Sequence, residues 1–145
     1  MKFIGFLLFT CNLLLATPFV IDNKTALMWQ DIPENKGVIF TWEEAKEYCE
    51  ELDIANYDDW WLPSEEELST LVDSNRPQGR KILKGFIYYK AKEYWTSSTY
   101  SWNAPYAWVI SFANGTSYSL LKKKQRFVRC VRCSDFKECL EKFYF

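Results

Sequence analysis

Ala107-Trp108-Val109-Ile110-Ser111-Phe112, then Ala113-Asn114-Gly115, then Thr116-Ser117-Tyr118-Ser119-Leu120-Leu121 is the stretch whose reading decides the architecture. Two runs rich in β-branched and aromatic residues flank an Asn-Gly pair, and both residues of that pair tolerate the positive φ that a tight reversal needs. This is the strongest short-range signal for a β-hairpin. Upstream, Tyr94-Trp95-Thr96-Ser97-Ser98 has the same character, and downstream the segment from Gln125 to Arg132 alternates as a strand does. The C-terminal half therefore reads as antiparallel sheet, with Trp95 and Trp108 expected in its core.

Moving toward the N-terminus, Phe19-Val20-Ile21-Asp22, the polar pair Asn23-Lys24 and Thr25-Ala26-Leu27-Met28-Trp29 read as a second hairpin. Thr41-Trp42-Glu43-Glu44 is a capping box, after which Trp42, Ala45, Cys49 and Leu52 recur at helical spacing on one face. A second box, Ser64-Glu65-Glu66-Glu67, follows Pro63 and opens a helix whose apolar face is Leu68, Leu71 and Val72. Between the helices lies a turn-rich aromatic loop, Asn56 to Pro63. From Asn75 to Lys92, Pro77, Gly79 and Gly85 break any long element, which predicts surface loop. The class is α+β: two short helices together with a mostly antiparallel sheet, joined by long loops.

A chain of 145 residues has room for one domain. Aromatics make up 19% of it, including seven tryptophans, enough bulk to fill a core with sparse regular structure. Basic residues number 18 and acidic 19, so no net field recruits nucleic acid, and none is expected as a partner. Histidine is absent, which removes the commonest general base and metal ligand. The protein is not expected to be an enzyme, and no cofactor or metal is expected.

Met1-Lys2, the apolar run from Phe3 to Leu15 and then Ala16-Thr17-Pro18 have the order of a secretory signal. The run is shorter than the roughly 20 residues that span a bilayer, so no transmembrane segment is expected after cleavage. The expected organisation is a signal peptide at 1–17, a domain at 18–133 and a tail at 134–145, in the periplasm or outside the cell. Loss of Cys11 with the leader leaves Cys49, Cys130, Cys133 and Cys139. Two disulfides are then implied, with three possible connectivities. Spacing favours Cys49 with Cys130, and Cys133 with Cys139 as a staple on the tail. Cys130-Val131-Arg132-Cys133 also has the form of half a zinc site or a redox pair.

Several segments in order form a larger pattern: Val20-Ile21-Asp22 with Thr25 to Trp29, Thr41 to Ala45 with Tyr48-Cys49, Asp59-Trp60-Trp61-Leu62-Pro63 with Glu67-Leu68, Tyr94 to Ser98, Ala107-Trp108, Phe112 to Gly115, and Phe127 to Arg132. This pattern resembles the C-terminal domain family of the Legionella collagen-like protein, over about residues 19 to 132. The resemblance implies a C-type-lectin-like fold, related to that of the formylglycine-generating enzymes, in an exported bacterial binding module. It also supports pairing Cys49 with Cys130. One departure is Trp61, where the family usually has arginine, so any polar contact made by that arginine is in doubt.

Calcium-dependent lectins of that fold hold sugar through Glu-Pro-Asn or Gln-Pro-Asp and a later Trp-Asn-Asp. Neither occurs: Pro33-Glu34-Asn35 has the wrong order, and Trp102-Asn103 is followed by Ala104. Asp58 and Asp59 are a natural carboxylate pair for a cation, though adjacent carboxylates in a turn are more often caps. Glu65, Glu66 and Glu67 sit where a helix dipole favours negative charge, not where paired acids would do hydrolysis. The candidate ligand-binding residues are Tyr100, Trp102, Asn103 and Tyr106, because tyrosine and tryptophan among small polar residues give rigid contact area with adaptable hydrogen bonding. Lys122, Lys123 and Lys124, with Arg126, form the notable basic cluster. It suits a sulfated or phosphorylated polymer, and some relatives act as adhesins toward sulfated glycans; lysines at a sheet edge also simply block edge pairing. The expected function is recognition of a surface glycan or an envelope protein. A structural subunit of an envelope complex is the alternative, and a thiol oxidoreductase using Cys130 and Cys133 is a more distant one.

Overall fold

The computed structural model describes residues 16–143. Apart from Ala16 and Thr17, the expected leader lies outside them, as does Cys11. Strand β1 (Phe19–Asp22) pairs antiparallel with β2 (Leu27–Gln30), Val20 opposite Trp29. The turn between them is held by the Asp22 carboxylate, which accepts from the Lys24 N–H at 3.0 Å and the Thr25 hydroxyl at 2.8 Å. The other edge of β2 pairs with β6 (Val131–Cys133), giving the order β1-β2-β6. A second sheet has the order β3-β4-β5, from β3 (Glu93–Thr99), β4 (Tyr106–Ser111) and β5 (Ser117–Leu121).

All pairings in both sheets are antiparallel, as expected, but the last segment is not one strand. Gln125 to Arg132 visits four partners: Arg126 bridges Phe40, Phe127 bridges Tyr94, and only then does Val131 join β2 on one side and bridge Trp61 on the other. The single sheet of the sequence reading is therefore two three-stranded sheets stitched by this segment.

The Asn-Gly hairpin forms between β4 and β5, with Trp108 opposite Ser119. Its connection is longer than a two-residue turn because Phe112 leaves the ladder: its N–H donates to Lys92 and its carbonyl accepts from Lys81. The Gly115 N–H donates to Ser111 at 2.7 Å, and Asn114 Oδ1 accepts from Thr116 N–H at 3.0 Å. Gly115 has φ +78°, and a Cβ there would sit 2.9 Å from Val72 Cγ1, so both backbone and space call for glycine.

Alternation along the strands divides residues between two cores, not between core and solvent. Leu27 and Trp29 join Leu68, Leu71, Ile82, Ile110 and Phe112 in one cluster. Met28 joins Trp42, Ala45, Cys49, Trp60, Trp95 and Val109 in the other. This is why all four residues of β2 are buried. Trp95 is core, as expected. Trp108 is not: it lies on the Ile110 side of β4 but beyond the end of that cluster, and is only partly buried.

The helix α2 (Trp42–Glu50) opens with the expected box, Glu44 Oε2 accepting from Thr41 N–H at 2.8 Å, and buries Trp42, Ala45 and Cys49. In α3 (Glu65–Ser69) Ser64 and Glu67 cap each other, the Ser64 side chain accepting from Glu67 N–H at 3.0 Å. Two helices were not foreseen: α1 (Glu34–Gly37), a single turn, and α4 (Phe136–Phe143) in the tail. Cys49 is bonded to Cys130 (Cα–Cα 5.5 Å) and Cys133 to Cys139 (Cα–Cα 5.7 Å), the pairing that spacing favours.

The 75–92 region lacks regular elements but is not wholly surface, since Ile82 and Phe86 are buried. A buried ionic knot holds it down. Asp31 accepts from the Ile87 and Tyr88 N–H groups at 2.9 and 3.0 Å, while Arg129 donates to Asp31, to the Gln30 carbonyl and to the Tyr88 carbonyl. Burial lowers the Arg129 pKa, and the Tyr94 and Asp31 partners offset part of that.

Candidate functional site

The β3–β4 connection, residues 100–105, is the segment the sequence reading singled out. Its approach is shaped by a bulge in β3: Trp95 pairs with Val109 but Thr99 pairs with Ala107, so extra β3 residues oppose a shorter stretch of β4. The displaced residues anchor elsewhere. Ser97 N–H donates to Pro63 at 2.7 Å, Ser98 Oγ accepts from Glu65 N–H at 2.8 Å, and the Thr96 carbonyl accepts from Trp42 Nε1 at 2.8 Å.

Beyond the bulge, the loop closes on itself. The Thr99 hydroxyl reaches the Ser101 and Tyr106 carbonyls at 2.9 and 2.7 Å, Ala104 N–H donates to Ser101 at 3.0 Å, and Ser101 Oγ lies 3.0 Å from Asn103 Oδ1. The aromatic rings stay outside this frame: Tyr100 is 71%, Trp102 85% and Tyr106 43% exposed. The partly buried Trp108 supports Tyr100, the two ring centroids lying 5.6 Å apart. Sequence reasoning placed Trp108 wholly in the core and so missed this supporting role. No signal in the sequence marked it, because the register that places Trp108 opposite Ser119 is set by a connection longer than the Asn-Gly pair.

The basic cluster does not stay together. Lys122 turns back onto the loop: its backbone N–H donates to Pro105 at 2.9 Å, its Nζ donates to the Trp102 carbonyl at 3.1 Å, and the same Nζ lies 3.9 Å from the Trp42 ring centroid. Its carbonyl accepts from Trp42 N–H at 3.0 Å, tying the loop to the start of α2. Lys46 approaches the same ring at 4.2 Å and pairs with Glu43 at 3.0 Å. Lys123 and Lys124 are exposed in the turn beyond β5, and Arg126 faces Glu93 at 3.7 Å.

The other candidates are engaged structurally. Asp59 accepts a two-pronged hydrogen bond from Arg132, whose guanidinium lies 3.8 Å from the Tyr57 ring centroid. That hydrogen bonding holds the Asp59 carboxyl below its ordinary value. Trp61, at the position where arginine is usual in the resembled family, donates from Nε1 to Glu67 Oε2 at 3.0 Å, so a neutral donor reaches the buried carboxylate. Cys130 and Cys133 are bonded to different partners and not to each other. Among the described residues no group of three or more His, Cys, Asp or Glu side chains is placed to hold a metal ion.

Two hollows lie away from the loop. One, of about 440 Å³, is walled by Glu44 and Glu47 of α2, by Glu51 just past its end and by Phe40 stacked on Tyr48. The other, of about 360 Å³, is bordered by Lys90, Lys92 and Arg126, and Ile39 and Gln125 line both. Neither includes a residue of the 100–106 loop, whose aromatic rings are exposed.

With helix, disulfide and loop geometry established, the comparison with known families is specific: the family model described as the Lcl C-terminal domain matches residues 18–132. The chain belongs to the Lcl C-terminal domain family. No curated protein matches the chain. The Lcl C-terminal match takes in both sheets, the candidate loop and Cys49–Cys130, and stops just before Cys133 and the α4 tail. Within the described residues of this Lcl C-terminal family member, no helix is long and apolar enough to cross a membrane.

Proposed function

We propose that this protein is an exported, non-catalytic binding or adhesion module of C-type-lectin-like fold, recognising a surface glycan or envelope protein through the 100–106 loop. The observation behind the assignment is Trp102, a large ring 85% exposed on a loop whose backbone is tied down. Ordering such a ring on a fixed frame before binding lowers the entropic cost of association. Aromatic anchors on rigid loops are where binding energy concentrates. Export is supported by two disulfides, which persist in oxidising compartments, and by the leader-like N-terminus. The fold assignment is supported by the two capped helices and the bond from α2 to a late segment. The non-catalytic reading is supported by the cysteines and Asp59 being engaged in structural contacts.

The test is an unbiased pull-down from the native envelope, run with the parent and with Trp102→Ala. Loss of the captured partner in a normally folded Trp102→Ala protein is the expected result. Equal capture by both would move the binding surface elsewhere.

A further inference from the structure

We infer that the ligand of the 100–106 loop is an uncharged glycan whose pyranose rings lie against Trp102 and Tyr100, not a sulfated or phosphorylated polymer. This rests on the loop being the binding surface, as proposed above.

The loop itself is uncharged. From Thr99 to Tyr106 the sequence is Thr-Tyr-Ser-Trp-Asn-Ala-Pro-Tyr, with no acid or base charged at neutral pH. Among the described residues, Lys122 is the cation seen to reach it, and the fold already engages that ammonium: Lys122 Nζ donates to the Trp102 carbonyl at 3.1 Å and lies 3.9 Å from the Trp42 ring centroid. Of the other cations in the cluster, Lys123 and Lys124 are exposed in the turn past β5 and Arg126 faces Glu93 at 3.7 Å. A polyanion along the loop would therefore meet aromatic faces, which carry negative quadrupole density, and no charged side chain of the loop itself.

An uncharged pyranose fits the same features. Its axial C–H groups form an apolar, weakly positive face that suits the electron-rich face of an aromatic ring. Its hydroxyls both donate and accept, and exposed Asn103 and Ser101 offer an amide and a hydroxyl beside the rings. Tyr100 is braced by Trp108 at 5.6 Å, so two exposed rings stand on a supported frame.

The experiment is affinity gel electrophoresis of the folded domain through gels containing a β-glucan, a xyloglucan, a galactomannan, dextran or dextran sulfate. Retardation by at least one neutral polysaccharide is expected, unchanged at high salt and in Lys123→Gln/Lys124→Gln. Trp102→Ala should weaken it by roughly thirtyfold or more, while Trp102→Tyr, which keeps a ring, should retain most of it. Retardation by dextran sulfate alone, lost in the double lysine variant or at high salt, would overturn the inference. So would no retardation in any neutral gel. If a Trp102-dependent protein partner then appears in the envelope pull-down, the loop stands as the binding surface and only the glycan assignment fails. Neutral-glycan binding that ignores Trp102→Ala would instead remove the loop reading itself.

Discussion

The two disulfides enclose very different lengths of chain, and that difference sets how much each should stabilise the fold. Cys49 and Cys130 are 81 residues apart, whereas Cys133 and Cys139 are 6 apart. In the loop-entropy treatment, the long closure contributes about 4.5 kcal/mol at 25 °C and the short one about 2.4 kcal/mol. Cys49, Cys130 and Cys139 are fully buried and Cys133 is 6% exposed, so replacing either pair by alanine leaves a comparable void and the difference reports mainly loop length. The variants are Cys49→Ala/Cys130→Ala and Cys133→Ala/Cys139→Ala. Urea unfolding followed by tryptophan fluorescence gives midpoint and slope for each. The first pair should lose about 2 kcal/mol more than the second, a large part of a typical domain's 5–15 kcal/mol. Its slope should also steepen, because release of the long cross-link lets the unfolded chain expand and expose more surface. If the short-loop variant is the less stable, or if the long-loop variant unfolds with the parent's slope, chain entropy is not what this bond supplies.

Three tryptophans should separate by burial in thermal melts. Trp95→Ala is expected to cost about 3–5 kcal/mol and Trp102→Ala no more than about 0.5 kcal/mol. Trp108→Ala should fall between, at about 1–2 kcal/mol, and any other order would contradict the placement of Trp108 at the margin of its cluster. Asp59 supplies a pH signature. Arg132 holds its folded-state carboxyl below the ordinary 3.8, so the stability it contributes is complete above that value and is lost as pH falls through the lower folded one. The parent's advantage over Asp59→Asn should therefore vanish in strong acid, and an advantage that persists unchanged there would refute the pairing.

Features legible in the sequence were those whose cause is local. The Asn114-Gly115 reversal, both capping boxes and the apolar face of α2 each depend on residues a few positions apart, and all formed where expected. The cysteine pairing is the one that spacing favoured among three connectivities, with Cys49 on that buried face. Period-two alternation failed at Trp108 for a physical reason. It says that Trp108 and Val109 face opposite ways, but β4 is covered on both faces along only part of its length, and alternation cannot say where the cover ends. The segment from Gln125 to Arg132 misled in the same way: its residues suit a strand, but four partners share it and tertiary packing divides it among them.

The candidate loop shows the same division between local and distant causes. Its uncharged aromatic composition from Tyr100 to Tyr106 was fixed by the sequence, and so was the run Lys122-Lys123-Lys124 that suggested a cationic patch. Only the tertiary structure decided that Lys122 lies against Trp42 and the Trp102 carbonyl while its two neighbours stay in solvent. A lysine's charge is a property of the residue, but what that charge attracts depends on which ring and carbonyl the fold brings within reach. Those groups are 80 and 20 positions away in the chain, a distance at which sequence pattern carries no information about contact.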